Sequence, residues 1–450
     1  MKKKIALAIF IAVCLSMALT LSIGFVIHGP SSAGANERLS SAPTLRNKDN
    51  TLNVDYLSDL SQYFSQRFYL RQELISVHNA IVATVFGNSA EDDVILGSDG
   101  WLYYTPTIGD YTATELLSER AIGAAAGNIA LIQEYIQGES ADFVFTLAPN
   151  KNSLYSANMP DYGVVNPSQN AQALLAKLDK LNVSYVDLFD AFSNEYEILY
   201  FAHDSHWNSK GAALAADLIN EALGVQSNYF EDEFSAAELH AGDLYEMLYP
   251  AFADSEMNPV YGGVLEYEST SGGNIRPDSI AINTAASGEG NLLAFRDSFG
   301  NLLYPYLADS SATARFSRAT SYDLVQISEL NADRVLIEIV ERNISYLITY
   351  CPIMPAPQRS VSAEESIGYA DNVSINANGK VPECVFVSGS LGCMPDQESP
   401  IYVLCGEQSF EAFCIGEDGF AAYIPEDSVP TGLAFCSGGK LVFSEINKIN

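Results

Sequence analysis

Short apolar runs alternate with helical patterns through the middle of the chain, and this alternation constrains the fold more than any other feature. The apolar runs have the composition of buried strands, and they lie at 143–147, 184–188, 292–295 and 334–340. Helical spacing is found at 54–83, 121–136, 170–181, 209–223 and 324–330. Strands that alternate with helices form parallel sheets with helices on both faces. The sequence therefore predicts an α/β domain over residues 51–350, with a mostly parallel sheet covered by helices.

A serine stands where one of these predicted strands meets the next helix. Ser298 lies in Arg296-Asp297-Ser298-Phe299-Gly300, directly after the run 292–295. α/β proteins place nucleophiles at the ends of buried strands. A serine nucleophile also needs a base to take its proton and a third group to hold that base in one tautomer.

One histidine has an acid at a useful spacing. His206 follows Asp204 by two residues, so in an extended loop the two side chains project to the same side. From the residues alone, Asp204 could instead cap a helix beginning near residues 209–212, with His206 packed in the core. A metal site of His203, Asp204 and His206 is a further alternative. No second Cys or His cluster completes such a shell in the sequence, so we predict neither a metal nor a cofactor.

The order of several blocks resembles a known family. Five segments have this order, at 56–71, 94–103, 147–155, 204–207 and 296–299. Together they resemble the SGNH-hydrolase-like AlgX/AlgJ (DHHW-type) polysaccharide O-acetyltransferase family, over roughly residues 52–349. The specificity comes from the order of the blocks rather than from any single one.

The resemblance implies a nucleophile at Ser298, a base at His206 and an orienting acid at Asp204. It implies an SGNH-like fold, with the acid and base preceding the serine in the chain. The residue two before the serine, glycine in ordinary SGNH enzymes, is Arg296 here. As substrate-binding or oxyanion residues we predict Asn150, Lys151, Trp207 and Arg296. For Asn150 and Lys151, which follow a predicted strand, a turn asparagine and a surface lysine are the alternative.

The N-terminus has the composition of a membrane anchor. Three lysines, residues 2–4, precede an apolar run from Ile5 to about Ile27, which is long enough to cross a bilayer. The flanking lysines predict a cytoplasmic N-terminus and an extracytoplasmic remainder. We therefore predict a single-pass anchor at 1–28 and a flexible linker at 29–50, with cleavage near 32–35 as the alternative.

Six of the seven cysteines lie in the last hundred residues. They are Cys351, Cys384, Cys393, Cys405, Cys414 and Cys436. Their even number predicts disulfides in an oxidising compartment, although the sequence does not specify the pairing. A hairpin turn at 406–409 would place Cys405 opposite Phe410 and Cys414 opposite Ile401, so this pair is not predicted to bond.

The C-terminal part has a different composition. After the prolines at 352, 355 and 357, short apolar runs alternate with Gly, Pro and Asp turns, which predicts a small all-β accessory domain at 365–450. Family resemblance implies a carbohydrate-contacting role for it. Phe410, Phe413, Phe420 and Tyr423 could stack on sugars, although alternating aromatics more often fill a core.

The charge balance narrows the choice of partner. The chain has 23 basic and 56 acidic residues and a net charge of −33, which makes nucleic acid a poor partner. We predict an anchored O-acetyltransferase that modifies a polysaccharide acceptor, with a multi-pass membrane O-acyltransferase as acetyl donor. The alternatives are a carbohydrate acetyl esterase with the same triad and a catalytically silent glycan-binding or scaffold protein.

Overall fold

A computed structural model describes residues 2–29, 31, 39–163, 169–272, 275–361, 365–370, 372–376 and 379–446. The alternative cleavage point near 32–35 lies outside these residues. The structure consists of an N-terminal helical segment, an α/β domain and a C-terminal β-sheet.

The N-terminal segment contains three helices. They are α1 Lys2–His28, α2 Tyr56–Ser65 and α3 Arg71–Phe86. The helical pattern predicted over 54–83 is therefore interrupted. Leu70 precedes α3 with a positive φ of 62°, a left-handed conformation that cannot continue a helix.

The helices and strands of the α/β domain follow α3. The helices are α4 Ile108–Tyr111, α5 Glu119–Gly138, α6 Lys151–Leu154, α7 Gln169–Lys180, α8 Leu188–Ser193, α9 Ser209–Ala222, α10 Asp243–Leu248, α11 Gly300–Asp309 and α12 Gln326–Leu330. The strands are β1 Val94–Leu96, β2 Leu102–Tyr104, β3 Asp142–Ala148, β4 Tyr185–Val186, β5 Phe234–Leu239, β6 Met257–Tyr261, β7 Tyr267–Ser269, β8 Ala281–Ala286, β9 Asn291–Phe295, β10 Thr313–Ser317 and β11 Arg334–Val340. β1 pairs with β2 and β5 with β6, each in an antiparallel ribbon.

A seven-stranded sheet forms the centre of this domain. Its order is β4-β3-β11-β9-β10-β8-β7, and the first five strands are parallel. The prediction of a mostly parallel sheet is confirmed, and the four predicted strands correspond to β3, β4, β9 and β11. Sequence reasoning missed β7, β8 and β10, because these have few consecutive apolar residues; β7 and β8 add antiparallel pairs at one edge.

Alternate residues of the central strands face two separate helical layers. Val335, Ile337 and Ile339 of β11 belong to a core with α5, α7 and α12. Leu336 and Val340 belong to a second core with α8, α9 and α11. Strand side chains alternate between the two faces, so the largely apolar sequence of β11, interrupted by Glu338, corresponds to a strand covered on both sides.

The C-terminal part is all-β, as predicted. Nine strands form one sheet: β12 Gln358–Arg359, β13 Glu365–Ala370, β14 Asn372–Asn376, β15 Cys384–Ser390, β16 Ile401–Cys405, β17 Gln408–Ile415, β18 Gly419–Pro425, β19 Gly432–Ser437 and β20 Lys440–Ile446. The four aromatics that could have contacted sugar are buried, at 3% exposure for Phe410, 0% for Phe413, 1% for Phe420 and 6% for Tyr423. They fill a core.

This sheet shares its core with the α/β domain. Phe413 and Phe420 belong to the same hydrophobic cluster as Ile122 and Ile129 of α5. Asn128 of α5 donates to the carbonyl of Cys414 at 2.9 Å and accepts from its N–H at 2.9 Å. The two parts are therefore packed together through a continuous interior.

The prediction of disulfides is wrong for this structure. All seven cysteines are free. Cys405 pairs across the ladder with Gln408, and Cys414 with Phe420. The β16–β17 turn contains only Gly406 and Glu407, so the predicted register was displaced by two residues, while the inference that these two cysteines are not neighbours holds. The described cysteines that are buried act as small apolar residues.

Candidate active site

The carboxyl ends of three adjacent parallel strands carry polar side chains. Asn150 follows β3, Ser298 follows β9, and Glu341 follows β11, which lies between them in the sheet. Parallel strands bring such segments to one edge. Glu341 accepts from the backbone N–H of Asn150 at 2.9 Å and thereby ties two of the strand ends together.

Ser298, His206 and Asp204 form one line of hydrogen bonds. Ser298 Oγ lies 2.8 Å from His206 Nε2, and His206 Nδ1 lies 2.6 Å from Asp204 Oδ1. The backbone N–H of His206 also donates to Asp204 Oδ1, at 2.9 Å. Asn208, rather than Asp204, caps helix α9 by accepting from Lys210 and Gly211. The alternative in which Asp204 is a helix cap is therefore wrong.

The two histidines beside Asp204 keep its carboxyl group ionised. Burial alone would raise the pKa of Asp204, but the His206 and His240 rings outweigh burial and hold it well below its usual range. Burial lowers the pKa of His206, yet the Asp204 carboxylate raises it more, so the net pKa lies above the ordinary value. An ionised acid beside the imidazole stabilises the cation that forms when His206 accepts a proton.

A second histidine holds the other oxygen of Asp204. His240 Nε2 lies 2.8 Å from Asp204 Oδ2, and the backbone N–H of Asp243 donates to the same oxygen at 3.1 Å. The His240 ring is stacked on Phe201, with ring centroids 3.7 Å apart. Both carboxylate oxygens are therefore engaged, which fixes the orientation of Asp204.

Asp243 and Ser205 form a second polar pair beside the base. Ser205 Oγ donates to Asp243 Oδ2 at 2.6 Å, and that oxygen lies 3.6 Å from His206 Nδ1. Burial and the negative charge of Asp204 raise the pKa of Asp243. The imidazole is thus flanked by one firmly ionised and one more basic carboxyl group.

Lys151 holds the loop that carries the base. Its ammonium group donates to the carbonyls of Phe201, Ala202 and Asp204, at 3.1, 3.0 and 2.5 Å. Burial lowers its pKa to about 8. With three carbonyl partners and 4% exposure, Lys151 is neither the surface lysine of the alternative interpretation nor placed to contact a substrate.

Trp207 and Arg296 also support the site from inside. Trp207 is fully buried, and its indole N–H donates to the Phe299 carbonyl at 3.0 Å, which joins the base loop to the nucleophile loop. Arg296 is 5% exposed and donates to the carbonyls of Pro277 and Asp297 at 2.6 and 3.2 Å. Burial lowers the pKa of Arg296 to about 10. These positions favour structural roles over the substrate contacts predicted from the sequence.

Asn150 differs from Lys151, Trp207 and Arg296. Its side chain is 1% exposed, and neither its amide nitrogen nor its amide oxygen has a hydrogen-bond partner among the described residues. Buried polar groups are normally paired, so an unpaired amide calls for a functional explanation. Asn150 therefore remains a candidate donor to a reacting oxygen.

Two acidic residues, Asp297 and Glu338, hold the loop that carries Ser298. Asp297 Oδ2 accepts from the N–H of Val340 at 2.7 Å, and the N–H of Asp297 donates to Glu338 Oε2 at 3.2 Å. Glu338 is fully buried, and burial followed by the charge of Asp297 raises its pKa well above the usual range. The hydrogen bonds of Asp297 and Glu338 fix the turn that precedes Ser298.

The three residues of the alternative metal set do not converge. His203 Nδ1 lies 2.6 Å from Asp254 Oδ1, in a group with Glu256, whereas His206 faces Asp204 and Asp243. The two histidines thus belong to different clusters.

Comparison with known proteins identifies the domain. Residues 94–273 match the family model described as SGNH hydrolase-like domain, acetyltransferase AlgX. Residues 94–273 thus resemble an AlgX-type SGNH hydrolase-like domain. The family resemblance predicted from the sequence is confirmed. The matched region includes Asp204 and His206 and ends before Ser298.

Several solved structures match parts of the chain at low sequence identity. PatB1 of Bacillus cereus, solved with a sulfonyl adduct, is 21% identical, with a TM-score of 0.46 and coverage of 56% of this chain and 95% of that one. A DHHW family protein from Eubacterium siraeum is 17% identical, with a TM-score of 0.43 and coverage of 58% and 95%. AlgX of Pseudomonas aeruginosa is 11% identical, with a TM-score of 0.38 and coverage of 78% and 90%. No curated protein sequence matches the chain.

Sequence reasoning missed three polar residues of the candidate site. His240, Asp243 and Glu338 contact the triad or its supporting loop, but each is distant in sequence from its partner. Glu338 offered a signal, because an acid inside the apolar run 334–340 must be buried and paired or protonated. His240 lies in a polar loop and offered none.

Proposed function

We propose that this protein is a membrane-anchored, extracytoplasmic O-acetyltransferase that modifies a polysaccharide through an acyl-serine intermediate on Ser298. The observation that carries the proposal is the line from Ser298 Oγ through His206 to Asp204 in an AlgX-type domain. Nucleophile, base and orienting acid lie at hydrogen-bond distances, as acyl transfer requires.

In the first step His206 Nε2 takes the proton of Ser298 Oγ as that oxygen attacks the carbonyl carbon of an acetyl donor. Asp204 stabilises the imidazolium that results, without accepting the proton. Collapse of the tetrahedral intermediate breaks the bond to the leaving group, which takes the proton from His206. The acetyl group then remains as an ester on Ser298.

In the second step a sugar hydroxyl takes the place of the leaving group. His206 removes its proton, the sugar oxygen attacks the acetyl-serine carbonyl, and the proton returns to Ser298 Oγ as the ester bond breaks. The product is an O-acetylated glycan and free enzyme. Water in place of the sugar would give the esterase reaction, so acceptor binding decides the outcome.

Asn150 is the proposed donor to the tetrahedral oxyanion. Its unpaired, buried amide follows β3 at the same sheet edge as Ser298. A preorganised donor in a dry site stabilises developing negative charge by roughly 3 kcal/mol.

The proposal also includes a membrane anchor and a source of acetyl groups. Residues Lys3–His28 form a helix that is long and apolar enough to span a bilayer. Because an acetyl group held by a cytoplasmic carrier must cross the membrane, a multi-pass acyltransferase is the proposed source of acetyl. The acceptor is proposed to be a neutral or cationic glycan, given a net charge of −33.

Ser298→Ala tests the catalytic assignment. We expect it to abolish turnover of a chromogenic acetyl ester while the protein stays folded. Ser311→Ala is the matched control, since it removes a buried hydroxyl just beyond the far end of α11, bonded only to the Leu307 carbonyl among the described residues, and should retain activity. Wild-type turnover by the Ser298→Ala variant would overturn the proposal.

Acceptor dependence separates transferase from esterase. The purified protein is incubated with acetyl ester and a glycan oligosaccharide, and acetyl on sugar is compared with free acetate. We expect sugar to capture acetyl at the expense of hydrolysis. Free acetate alone, at a rate independent of every acceptor tested, would favour the esterase.

A further inference from the structure

Helix α3 buries three polar side chains and exposes a row of large apolar side chains on its opposite side. Its buried side chains are Gln72, Ser76 and Asn79. The exposed row consists of Leu74, Val77, Ile81 and Val85, at 37%, 47%, 55% and 65% exposure, and Phe86 at the end of the helix is also exposed. At ~100° per residue the two sets lie about half a turn apart around the helix axis. A helix at the surface of a soluble domain has the opposite arrangement.

The inward polar face of α3 is firmly attached to the α/β domain. Asn79 Nδ2 donates to the carbonyl of Leu248 at 2.8 Å, and Ser76 Oγ accepts from the N–H of Ala251 at 2.8 Å. The helix therefore cannot rotate its apolar face inward without leaving buried polar groups unpaired. The arrangement is a stable property of the fold.

The apolar surface continues through α2. Leu57, Leu60 and Phe64 of α2 are 78%, 40% and 37% exposed, and this helix has no buried residue. Among the described residues, the contact printed for this side of α2 comes from the end of α1, where Phe25 lies against Phe64. We call the exposed apolar residues of these two helices the outer apolar face.

The outer apolar face adjoins the end of the apolar helix α1. Phe25 packs against Phe64, with ring centroids 5.5 Å apart, and His28 stacks on Tyr69 at 4.8 Å. A Cβ on Gly24 would lie 2.2 Å from the Tyr69 ring, so a glycine is needed for this close approach. Tyr63 is half-buried and 6.4 Å from Phe25. Tyrosines at the end of an apolar helix are typical of a membrane interface.

We infer that the outer apolar face of α2 and α3 lies in the interfacial region of the bilayer that α1 spans. The occupant is lipid, because the face continues from α1 and its side chains are aliphatic rather than basic. Amphipathic helices of this kind lie in the membrane plane with the apolar side buried in the boundary between headgroups and acyl chains. The net charge of −33 indicates that apolar burial, rather than attraction to anionic lipid, supplies the contact.

The contact would set the height of the active site above the membrane. α3 packs on α10 through Asn79, and α10 begins at Asp243, which binds Ser205 and Asp204 beside the base. Helices α3 and α10 thus lie between the outer apolar face and the catalytic residues, and each is about 10 Å across. This consequence rests on the proposed function: an acetyl group delivered by a membrane protein would reach Ser298 without a large domain movement.

Tryptophan fluorescence in vesicles tests the inference on the full-length chain. Val85→Trp and Val429→Trp form a matched pair, because both valines are 65% exposed and only the first belongs to the outer apolar face. Each variant is reconstituted in phosphatidylcholine vesicles, with and without bromine on the upper acyl chain, and wild type provides the background of Trp101 and Trp207. We expect blue-shifted, bromine-quenched emission for Val85→Trp and neither change for Val429→Trp.

Further experiments distinguish membrane contact by α2 and α3 from anchoring by α1. Adding Ile81→Asp to Val85→Trp should reduce quenching, while the protein stays folded and vesicle-bound through α1. If wild-type protein withstands a carbonate wash but the Val85→Trp variant shows no selective quenching, the inference is overturned and the anchor stands. Shielding from both bromine and aqueous iodide would mean that a second copy covers the face, and would also overturn it. A chain that stays in solution would overturn both.

Discussion

At the scale of single residues, Asp204 decides the chemistry of the candidate site. A buried carboxylate is costly unless every lone pair has a partner. Here two imidazoles and two backbone N–H groups surround it. The contact with Asp204 also raises the pKa of His206 above its ordinary value, so we expect the activity to depend on pH.

Asp204→Asn is expected to alter both the rate and its pH dependence. The rate should fall by ~10⁴, because an amide favours the wrong imidazole tautomer. The acid limb of the kcat/KM profile should move to lower pH: the negative charge that raises the pKa of His206 is lost, and burial, which lowers that pKa, remains. The measurement is ester turnover from pH 5 to 9. An unchanged profile would show that another group orients His206.

Cysteine chemistry belongs to the same scale. Cys393 is exposed and free, whereas Cys405 and Cys414 are buried. We expect iodoacetamide to modify Cys393 in the native protein without a reductant, and the other two only after unfolding. Mass spectrometry of peptides after timed labelling measures this. A Cys393 that reacts only after reduction would restore the disulfide interpretation.

At the scale of elements, strand β11 supports the nucleophile loop through Glu338. Its native pKa is raised well above the unfolded value, so the folded state binds this proton more tightly. Stability from this group is therefore fully present below the unfolded pKa of ~4.3 and is lost as pH rises through the folded pKa, with a slope of at most ~1.4 kcal/mol per pH unit.

Glu338→Gln should remove this loss. A glutamine amide can accept from the Asp297 N–H and donate to the Asp297 carboxylate, as the protonated acid does. Relative to wild type, the variant should become more stable between pH 5 and pH 9. Urea unfolding at several pH values measures the difference in free energy of unfolding. A difference independent of pH would show that Glu338 does not titrate in this range.

At the scale of the whole molecule, the C-terminal sheet and the α/β domain share one core. Helix α5 contributes to both, through Ile129 on its apolar side and through Asn128 and Arg120. Removing residues 380–450 would expose much of that core. Truncation is therefore a poor test of a glycan-binding role for this sheet.

Asn128→Ala tests the coupling of the two parts. It would leave the Leu347 carbonyl and both backbone groups of Cys414 without this partner, at about 1–3 kcal/mol for each unsatisfied group. We expect a loss of at least about 2 kcal/mol and a single unfolding transition by far-UV and near-UV signals. Gln137→Ala, an exposed change on the same helix, is the control. Two separate transitions in the wild type would refute the shared core.

The sequence by itself determined the features that depend on neighbouring residues. Periodicity records which faces are buried, so the alternation of strands and helices predicted a parallel sheet with Ser298 at a strand end. The spacing of Asp204 and His206 predicted their pairing because both lie in one loop. Only the tertiary structure decided the contacts between distant segments. His240 binds Asp204, Lys151 binds the loop that carries His206, and the C-terminal sheet packs on α5. The tertiary structure also decided the direction in which α3 faces. Composition counts apolar residues, but only packing shows that on this helix they point outward, because its polar side chains are the ones that bind the domain.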